Sequence, residues 1–306
     1  MRTAREREAY AAMLSCLPAG IVREIGAIER SRTDFFSSLS EIRLRAGGVS
    51  ALTLGSHNLP LATRLSDEDT ETAMRLFCRD SVYAYSETLC EGYLRLAGGY
   101  RVGVAGIAVR KGRQVVGVRS VRALCIRMPH RIDGAGASAV ALFREMNCSR
   151  GILVYAPPGV GKTTLLRDFA FTLAGGKNPL RVAVVDTRGE LCGIGECGGM
   201  IDVLEDYPKA LGIEIATRTL SPQAVVCDEI GDYDEADSIL AVQSSGVPLV
   251  ASAHGDSLEG VLARPAIGLL DRAGIFGAYI GIRREGGKYL YTVTHAESLP
   301  QKSMRP

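Results

Sequence analysis

The pattern of hydrophobic and polar positions changes near residue 134. Before that point, helical periodicity is limited to about residues 4–17 and 67–79, and elsewhere apolar and polar residues alternate as they do in strands. Glycines punctuate these stretches, which is typical of short strands joined by turns. The pattern predicts a small α+β domain over residues 1–134. Its predicted strands are residues 41–45, 51–54, 92–96, 101–109 and 115–118.

Beyond this point, apolar runs alternate with helical segments, which favours a mainly parallel sheet in an α/β domain over residues 135–306. Residues 134–138 have the composition of a flexible joint, and Ser138 is positioned to cap a helix over residues 139–146. The predicted strands of this domain are residues 151–155, 181–185, 224–227 and 247–252, followed by a hairpin of residues 278–282 and 289–293.

A candidate phosphate-binding loop lies between the first of these strands and a predicted helix. Residues 156–163 are Ala-Pro-Pro-Gly-Val-Gly-Lys-Thr, although Ala156 stands where the usual pattern has its first glycine. The glycines let backbone N–H groups turn toward one anion, and the helix adds its positive end. The predicted nucleotide contacts are Pro158, Gly159, Val160, Gly161, Lys162, Thr163 and Thr164. We expect Lys162 to bind the terminal phosphates of ATP and Thr163 to bind Mg²⁺; a turn beside a surface lysine is the alternative.

Two carboxylates end the predicted strand at residues 224–227. Asp228 and Glu229 would lie at the same edge of a parallel sheet as the phosphate loop. A nucleoside triphosphatase needs one carboxylate to hold Mg²⁺ through its water shell and another to position the attacking water. We assign these roles to Asp228 and Glu229, respectively. The alternative is an acidic pair that only caps the strand before a turn.

Polar residues also follow two further strands. His254 comes after residues 247–252, where a neutral imidazole can sense the terminal phosphate; a structural histidine is the alternative. Asp186, Arg188 and Glu190 follow residues 181–185. These three residues are either ligands or part of a turn with local ion pairs, and the sequence does not separate the two.

Composition narrows the class of protein. The chain has 306 residues, 46% of them hydrophobic, and is long enough for two cores. It contains no apolar stretch of 18 residues, and its charged start is not a signal peptide, so we expect a cytoplasmic protein that reaches a membrane through partners. Its eight cysteines lack the paired spacing of a zinc site, which favours reduced thiols.

Charge is spread unevenly, although the net charge is only +2. Residues 101–131 contain eight basic residues, seven of them arginines, and no acidic residue. Such a run is often just a solvated face, but the planar guanidinium group suits phosphate. Nucleic-acid backbone, acidic lipid headgroups and the nucleotide itself are the candidate partners.

The order of the motifs resembles the secretion ATPase group of RecA-like motor proteins, which serve type II and type IV secretion and pilus assembly. The resemblance rests on the phosphate loop, the acidic segment 186–190, residues 216–223 ahead of Asp228, and His254. It implies a RecA-like P-loop ATPase domain with a mainly parallel sheet, preceded by a smaller α+β domain. Where pilus motors have an arginine, this chain has Gly231.

The same resemblance implies catalytic arginines. Residues 123–127 are similar to the segment that closes the N-terminal domain in this group, which implies that Arg127 reaches the nucleotide. Arg188 and Arg218, supplied by a neighbouring subunit, are the other candidates. Any of the three would neutralise charge that develops on the transferred phosphoryl group.

Within the group, the chain resembles a sporulation family of endospore-forming bacteria. The resemblance lies in residues 41–45, 99–103 and 228–231, and it extends over nearly the whole chain. It implies a homo-oligomer, expected to be a hexamer, that docks on membrane channel proteins of a secretion-like complex.

The sequence leaves two other functions open and disfavours a third. A nucleic-acid motor would use the basic stretch as its track, but only Tyr93 and Tyr100 lie near it for base stacking. An ATP-regulated scaffold with negligible turnover is the second alternative. A small-molecule kinase is disfavoured because no arginine-bearing lid segment follows Asp228.

Overall fold

The computed structural model describes residues 4–79, 81, 85–129, 134–187, 189–192, 199–242, 246–286 and 288–299. The chain divides into two compact units. Their described parts lie within residues 4–129 and 134–299. Among these residues, no helix is both long and apolar enough to cross a bilayer.

The first unit is an antiparallel sheet with helices. Its strands are β1 (Leu39–Arg45), β2 (Ala51–Leu54), β3 (His57–Pro60), β4 (Tyr93–Leu96), β5 (Tyr100–Lys111) and β6 (Gln114–Arg127). They are arranged in the order β3-β2-β1-β6-β5-β4, and every neighbouring pair is antiparallel. The helices are α1 (Ala4–Ser15), α2 (Ala19–Ser31), α3 (Phe35–Ser38), α4 (Asp67–Phe77) and α5 (Ser86–Cys90). This arrangement confirms the predicted α+β class.

Three helices of this unit, α2, α3 and α5, were not predicted. Helix α2 buries Ile21 and Ile25 completely in the core of the first unit. These residues are four apart, so they lie on one face of the helix. Helix α4 has a clearer start, because Ser66 and Asp69 form a reciprocal capping box.

The second unit is built on a mainly parallel sheet, as predicted. Its strands are β7 (Gly151–Ala156), β8 (Val182–Asp186), β9 (Ile201–Glu205), β10 (Ala224–Glu229), β11 (Leu249–His254), β12 (Phe276–Glu285) and β13 (Lys288–His295). They follow the order β13-β12-β7-β11-β10-β8-β9, and only β12 and β13 pair antiparallel. The helices are α6 (Ala137–Glu145), α7 (Lys162–Ala174), α8 (Lys209–Ile215), α9 (Tyr233–Val242), α10 (Leu258–Leu262) and α11 (Pro265–Arg272).

Hydrophobic cores lie on both faces of this sheet. Ile152 and Val154 of β7 pack in one core with residues of α6 and α7, whereas Leu153 faces a second core that contains residues of α8, α9 and α11. Because successive strand residues point to opposite faces, strands covered on both sides are apolar throughout. That burial explains the uninterrupted apolar runs of the sequence.

The structure corrects the prediction for residues 134–146. Helix α6 begins at Ala137 with Gly136 as its N-cap, so Ser138 lies inside the first turn and does not cap the helix. Gly136 N–H donates to Asp168 Oδ2 at 2.8 Å. A Cβ atom at Gly136 would lie 2.4 Å from the backbone nitrogen of Phe169. This glycine therefore permits close packing against α7 and is not part of a free joint.

Candidate nucleotide-binding site

The loop between β7 and α7 has the backbone geometry that phosphate binding requires. Gly159 and Gly161 have φ angles of 74° and 107°, which only glycine adopts at little cost. Gly161 is the N-cap of α7, and the helix begins at Lys162. The first N–H groups of a helix have no partner within it, so those at the start of α7, where Thr163 and Thr164 also lie, are available to an anion.

Ala156, the departure from the usual glycine pattern, is the buried last residue of β7. Its carbonyl oxygen accepts hydrogen bonds from Gly255 N–H at 3.2 Å and from Lys162 Nζ at 2.9 Å. A methyl group is therefore accommodated at this position within the core of the sheet. Pro158 and Gly159, at the crest of the loop, are exposed, and Val160 is half-buried.

Lys162 is buried and turns back toward the end of the sheet. Its Nζ atom donates to the carbonyl oxygens of Ala156 and Pro157, at 2.9 and 3.3 Å, and lies 2.7 Å from His254 Nδ1. Burial lowers the pKa of Lys162, and the nearby Glu229 carboxylate opposes that shift.

These contacts determine the tautomer of His254. An ammonium group can only donate hydrogen bonds, so Nδ1 of His254 accepts from Lys162 and Nε2 carries the proton. Nε2 lies 2.6 Å from Glu229 Oε2. His254 therefore bridges the buried lysine of the loop and the carboxylate at the end of β10.

Strand order brings these residues together. Strand β11 lies between β7 and β10, with His254 paired to Ala156 and Glu229 paired to Ser252. Parallel strands present their carboxyl ends at one edge, where ligands of α/β sheets usually bind. Lys162, His254 and Glu229 thus meet at the mouth of the phosphate loop.

Asp228, the other carboxylate of the pair, is held by a buried lysine. Lys209, only 4% exposed at its side chain, places Nζ 2.9 Å from Asp228 Oδ1 and 2.9 Å from Glu235 Oε1, and it also donates to the carbonyl oxygen of Glu229. Burial lowers the pKa of Lys209, but the neighbouring groups, Cys227, Asp228 and Glu235 among them, raise it above its ordinary value.

Sequence reasoning missed Lys209 and Glu235. Lys209 is the first residue of α8, after Pro208, and a lysine at a helix start normally indicates an exposed position. Sequence reasoning also missed Arg264, which donates to the carbonyl oxygens of His254 and Gly231 at 2.9 and 3.3 Å and so ties the ends of β10 and β11 together. No spacing in the sequence signals either contact, because the partners come from different elements.

The candidate arginines have different positions. Arg127 lies in the first unit at the end of β6, exposed, with its Nε atom 3.7 Å from Glu41 Oε1. Arg218 lies in the π-helical turn Ala216–Leu220, where it pairs with Glu214 at 2.6 Å and is also exposed. Arg188 lies outside the described residues.

Asp186, the last residue of β8, is an acceptor for several backbone N–H groups. Asp186 is fully buried, and its carboxylate accepts hydrogen bonds from the N–H groups of Glu190, Leu191 and Cys192 at 2.8 to 2.9 Å. Arg167 donates to the carbonyl oxygens of Glu190 and Leu191. These contacts favour the turn interpretation of Asp186 over a ligand role.

The donor groups at this edge suit magnesium. Mg²⁺ prefers oxygen ligands, keeps several waters and is usually held by one or two carboxylates together with substrate phosphates. The hydroxyl of Thr163, in the first turn of α7, and the carboxylate of Asp228 are such donors. The described residues contain no cluster of three or more His, Cys, Asp or Glu side chains arranged to hold a metal alone.

Comparison with known proteins identifies the family. The sequence model of the family described as "Sporulation stage III, protein AA" matches residues 9–291. The chain belongs to this family. It is also 31% identical over 258 residues to stage III sporulation protein AA of Bacillus subtilis (strain 168), a match that covers 81% of this chain and 84% of that protein. The resemblance inferred from residues 41–45, 99–103 and 228–231 is thereby confirmed.

Solved structures of an ATPase and of a pilus retraction motor share the fold of this family member. The ATPase DotB of Legionella pneumophila aligns with a TM-score of 0.60 and 14% identity, over 90% of this chain and 81% of that chain. The pilus retraction motor PilT with bound ADP aligns with a TM-score of 0.61 and 15% identity, over 90% and 82% of the two chains. These alignments confirm the predicted RecA-like fold.

Proposed function

We propose that this protein is a Mg²⁺-dependent ATPase of the secretion-motor type. The observation that carries the proposal is the chain of contacts from Lys162 through His254 to Glu229, at the mouth of a glycine loop that ends in a helix N-terminus. A buried cation, free helix N–H groups and a nearby carboxylate together suit a polyphosphate and the water that attacks it. The known ATPases that share the fold support the same conclusion.

ATP is held by the loop residues Pro158 to Thr164, with the Lys162 ammonium on its terminal phosphates. Thr163 and Asp228 would hold Mg²⁺, which when bound neutralises phosphate charge. Lys209 contacts one oxygen of Asp228 and so fixes the position of this carboxylate.

Glu229 positions the attacking water. The water oxygen forms a bond to the γ-phosphorus while the bond from that phosphorus to the β-γ bridging oxygen breaks, and Glu229 accepts the water proton. The products are ADP and inorganic phosphate. The Lys162 ammonium now contacts two carbonyl oxygens and His254, so phosphate binding must displace at least one of these partners. In the proposed mechanism the displaced partner is His254, whose release alters its contact with Glu229.

An arginine stabilises the charge on the transferred phosphoryl group. Arg127, Arg188 and Arg218 are the candidates, from another domain or another subunit. Such a contact would couple hydrolysis to movement between domains or subunits, since the arginine engages only when nucleotide is present.

We further propose that the protein works as a hexameric ring, cytoplasmic and peripheral to a membrane, that powers or gates a channel complex during endospore formation. The sporulation family, together with an ATPase and a pilus retraction motor of the same fold, supports this role. Its partners are then membrane channel proteins and not nucleic acid.

Replacing Glu229 with glutamine tests the proposed chemistry. Glu229→Gln should retain ATP binding while turnover falls about a hundredfold or more, because an amide cannot accept the water proton. Glu259→Gln, at an exposed position of α10, is the matched control and should turn over ATP as the unmodified protein does. Unchanged hydrolysis by Glu229→Gln would mean that Glu229 is not the base.

A further inference from the structure

Strands β5 and β6 extend beyond the sheet of the first unit. Strand β4 pairs with β5 only as far as Gly103, and β1 pairs with β6 only from Ala123 onward. Among the described strands, residues 105–120 therefore pair only within their own hairpin. We call residues 105–120 the arm.

A break in the ladder marks the base of the arm. The register shifts between Ala105 and Ile107, and Ser120, opposite this break, has a φ of 50°. A Cβ atom at Gly106 would lie 2.8 Å from Val118 Cγ1 and 2.9 Å from the carbonyl oxygen of Arg119. Irregularities of this kind bend a strand and aim it in a new direction, and glycine is required here by the close approach of the facing strand.

The arm exposes aliphatic side chains. Ile107, Val109, Val115 and Val116 are each 37% to 46% exposed. Two-stranded ribbons are only marginally stable in water unless something covers them. A run of exposed valine and isoleucine on such a ribbon therefore indicates a surface that is covered in use.

The arm is also strongly basic. Arg110, Lys111, Arg113 and Arg119 are all exposed, as is Arg122 just beyond it, and no acidic residue occurs from residue 101 to residue 131. Within the described part of the chain, none of these five basic residues has an ion-pair partner. Their charge is therefore available to an external anion.

We propose that the arm docks on an anionic lipid surface. Lysine and arginine near such a surface each contribute attraction, and adjacent aliphatic side chains enter the boundary between headgroups and acyl chains. The arm supplies both groups side by side. Nucleic acid fits less well, because the arm contains no aromatic residue on which bases could stack and would leave its aliphatic residues in water. This inference does not depend on the proposed ATPase activity.

Vesicle flotation of the full chain tests the proposal. The protein should float with vesicles of phosphatidylcholine mixed with phosphatidylglycerol, and not with phosphatidylcholine alone. The triple variant Arg110→Gln, Lys111→Gln, Arg113→Gln should lose about a hundredfold in partitioning, since each basic residue contributes roughly fivefold. Val109→Ser with Val116→Ser should weaken binding without changing its salt dependence.

A matched variant controls for net charge. Arg23→Gln, Arg30→Gln and Lys177→Gln remove three exposed positive charges outside the arm, and this variant should float as the unmodified protein does. Circular dichroism of both triple variants verifies folding. Equal flotation of the arm variant and the unmodified protein would refute the proposal. The proposal would also be refuted if the unmodified protein did not bind lipid and the arm variant instead lost binding to single-stranded DNA or RNA, or lost self-association.

Discussion

Replacing Lys209 with methionine is expected to destabilise the second unit severely. Methionine has a similar length but no charge, and the change leaves Asp228 and Glu235 close together with no cation between them. Removing one partner of a buried ion pair costs about 3–5 kcal/mol, because the remaining charge stays desolvated. Lys209 has two carboxylate partners and is almost completely buried, so the upper part of that range applies. The corresponding fall in melting temperature is about 10 °C.

Thermal and urea unfolding followed by circular dichroism measure this loss. Lys177→Met, at an exposed position, is the matched control and should change stability by less than about 0.5 kcal/mol. Adding Glu235→Gln to Lys209→Met should recover part of the loss, because it removes one of the two uncompensated carboxylates. A loss below about 1 kcal/mol for Lys209→Met would show that this lysine is not a buried ion-pair partner, since exposed pairs contribute that much.

The stability difference between the unmodified protein and Lys209→Met should depend on pH. The pKa of Lys209 is raised in the folded protein above its ordinary value of 10.5, because its acidic neighbours outweigh burial. The stabilisation by this charge is therefore fully present below pH 10.5 and is lost as the pH rises through the folded pKa. The stability difference between the unmodified protein and Lys209→Met should stay constant from neutral pH to about pH 10 and shrink only above it.

Two further substitutions test structural assignments near the site. Asp186→Asn should lower the free energy of unfolding, measured with urea, by about 2–3 kcal/mol, because the new amide donor faces N–H groups that donate to a carboxylate in the unmodified protein. A change within about 0.5 kcal/mol would contradict the turn assignment. Gly136→Ala should cost about 1–3 kcal/mol, because its Cβ atom would meet the backbone of Phe169, and a gain in thermal stability would contradict the packing described for α6.

The elements that the sequence predicts well are those with an uninterrupted apolar run next to glycine. Strand β7, its loop and α7 are an example, since burial on both faces makes β7 wholly apolar and the loop requires glycine at positive φ. Strand β9 was missed because an edge strand has neighbours on one side only, and its pattern includes exposed Asp202. The helix α2 was also missed, although its isoleucines have helical spacing.

Contacts within the candidate site lie beyond sequence reasoning for a different reason. Lys162 and His254 are 92 residues apart, and their contact depends on β11 lying beside β7. The burial of Lys209 likewise depends on α8, α9 and β10 converging. Sequence motifs indicate which residue types carry chemistry, whereas strand order determines which of them touch.

Nucleotide binding by the loop is best examined in a crystal structure obtained with Mg²⁺ and a non-hydrolysable ATP analogue. We expect the triphosphate on the loop at residues 158–164, with Lys162 Nζ moved from His254 to the terminal phosphates. An empty loop, or a nucleotide bound at a different place in the protein, would contradict this expectation.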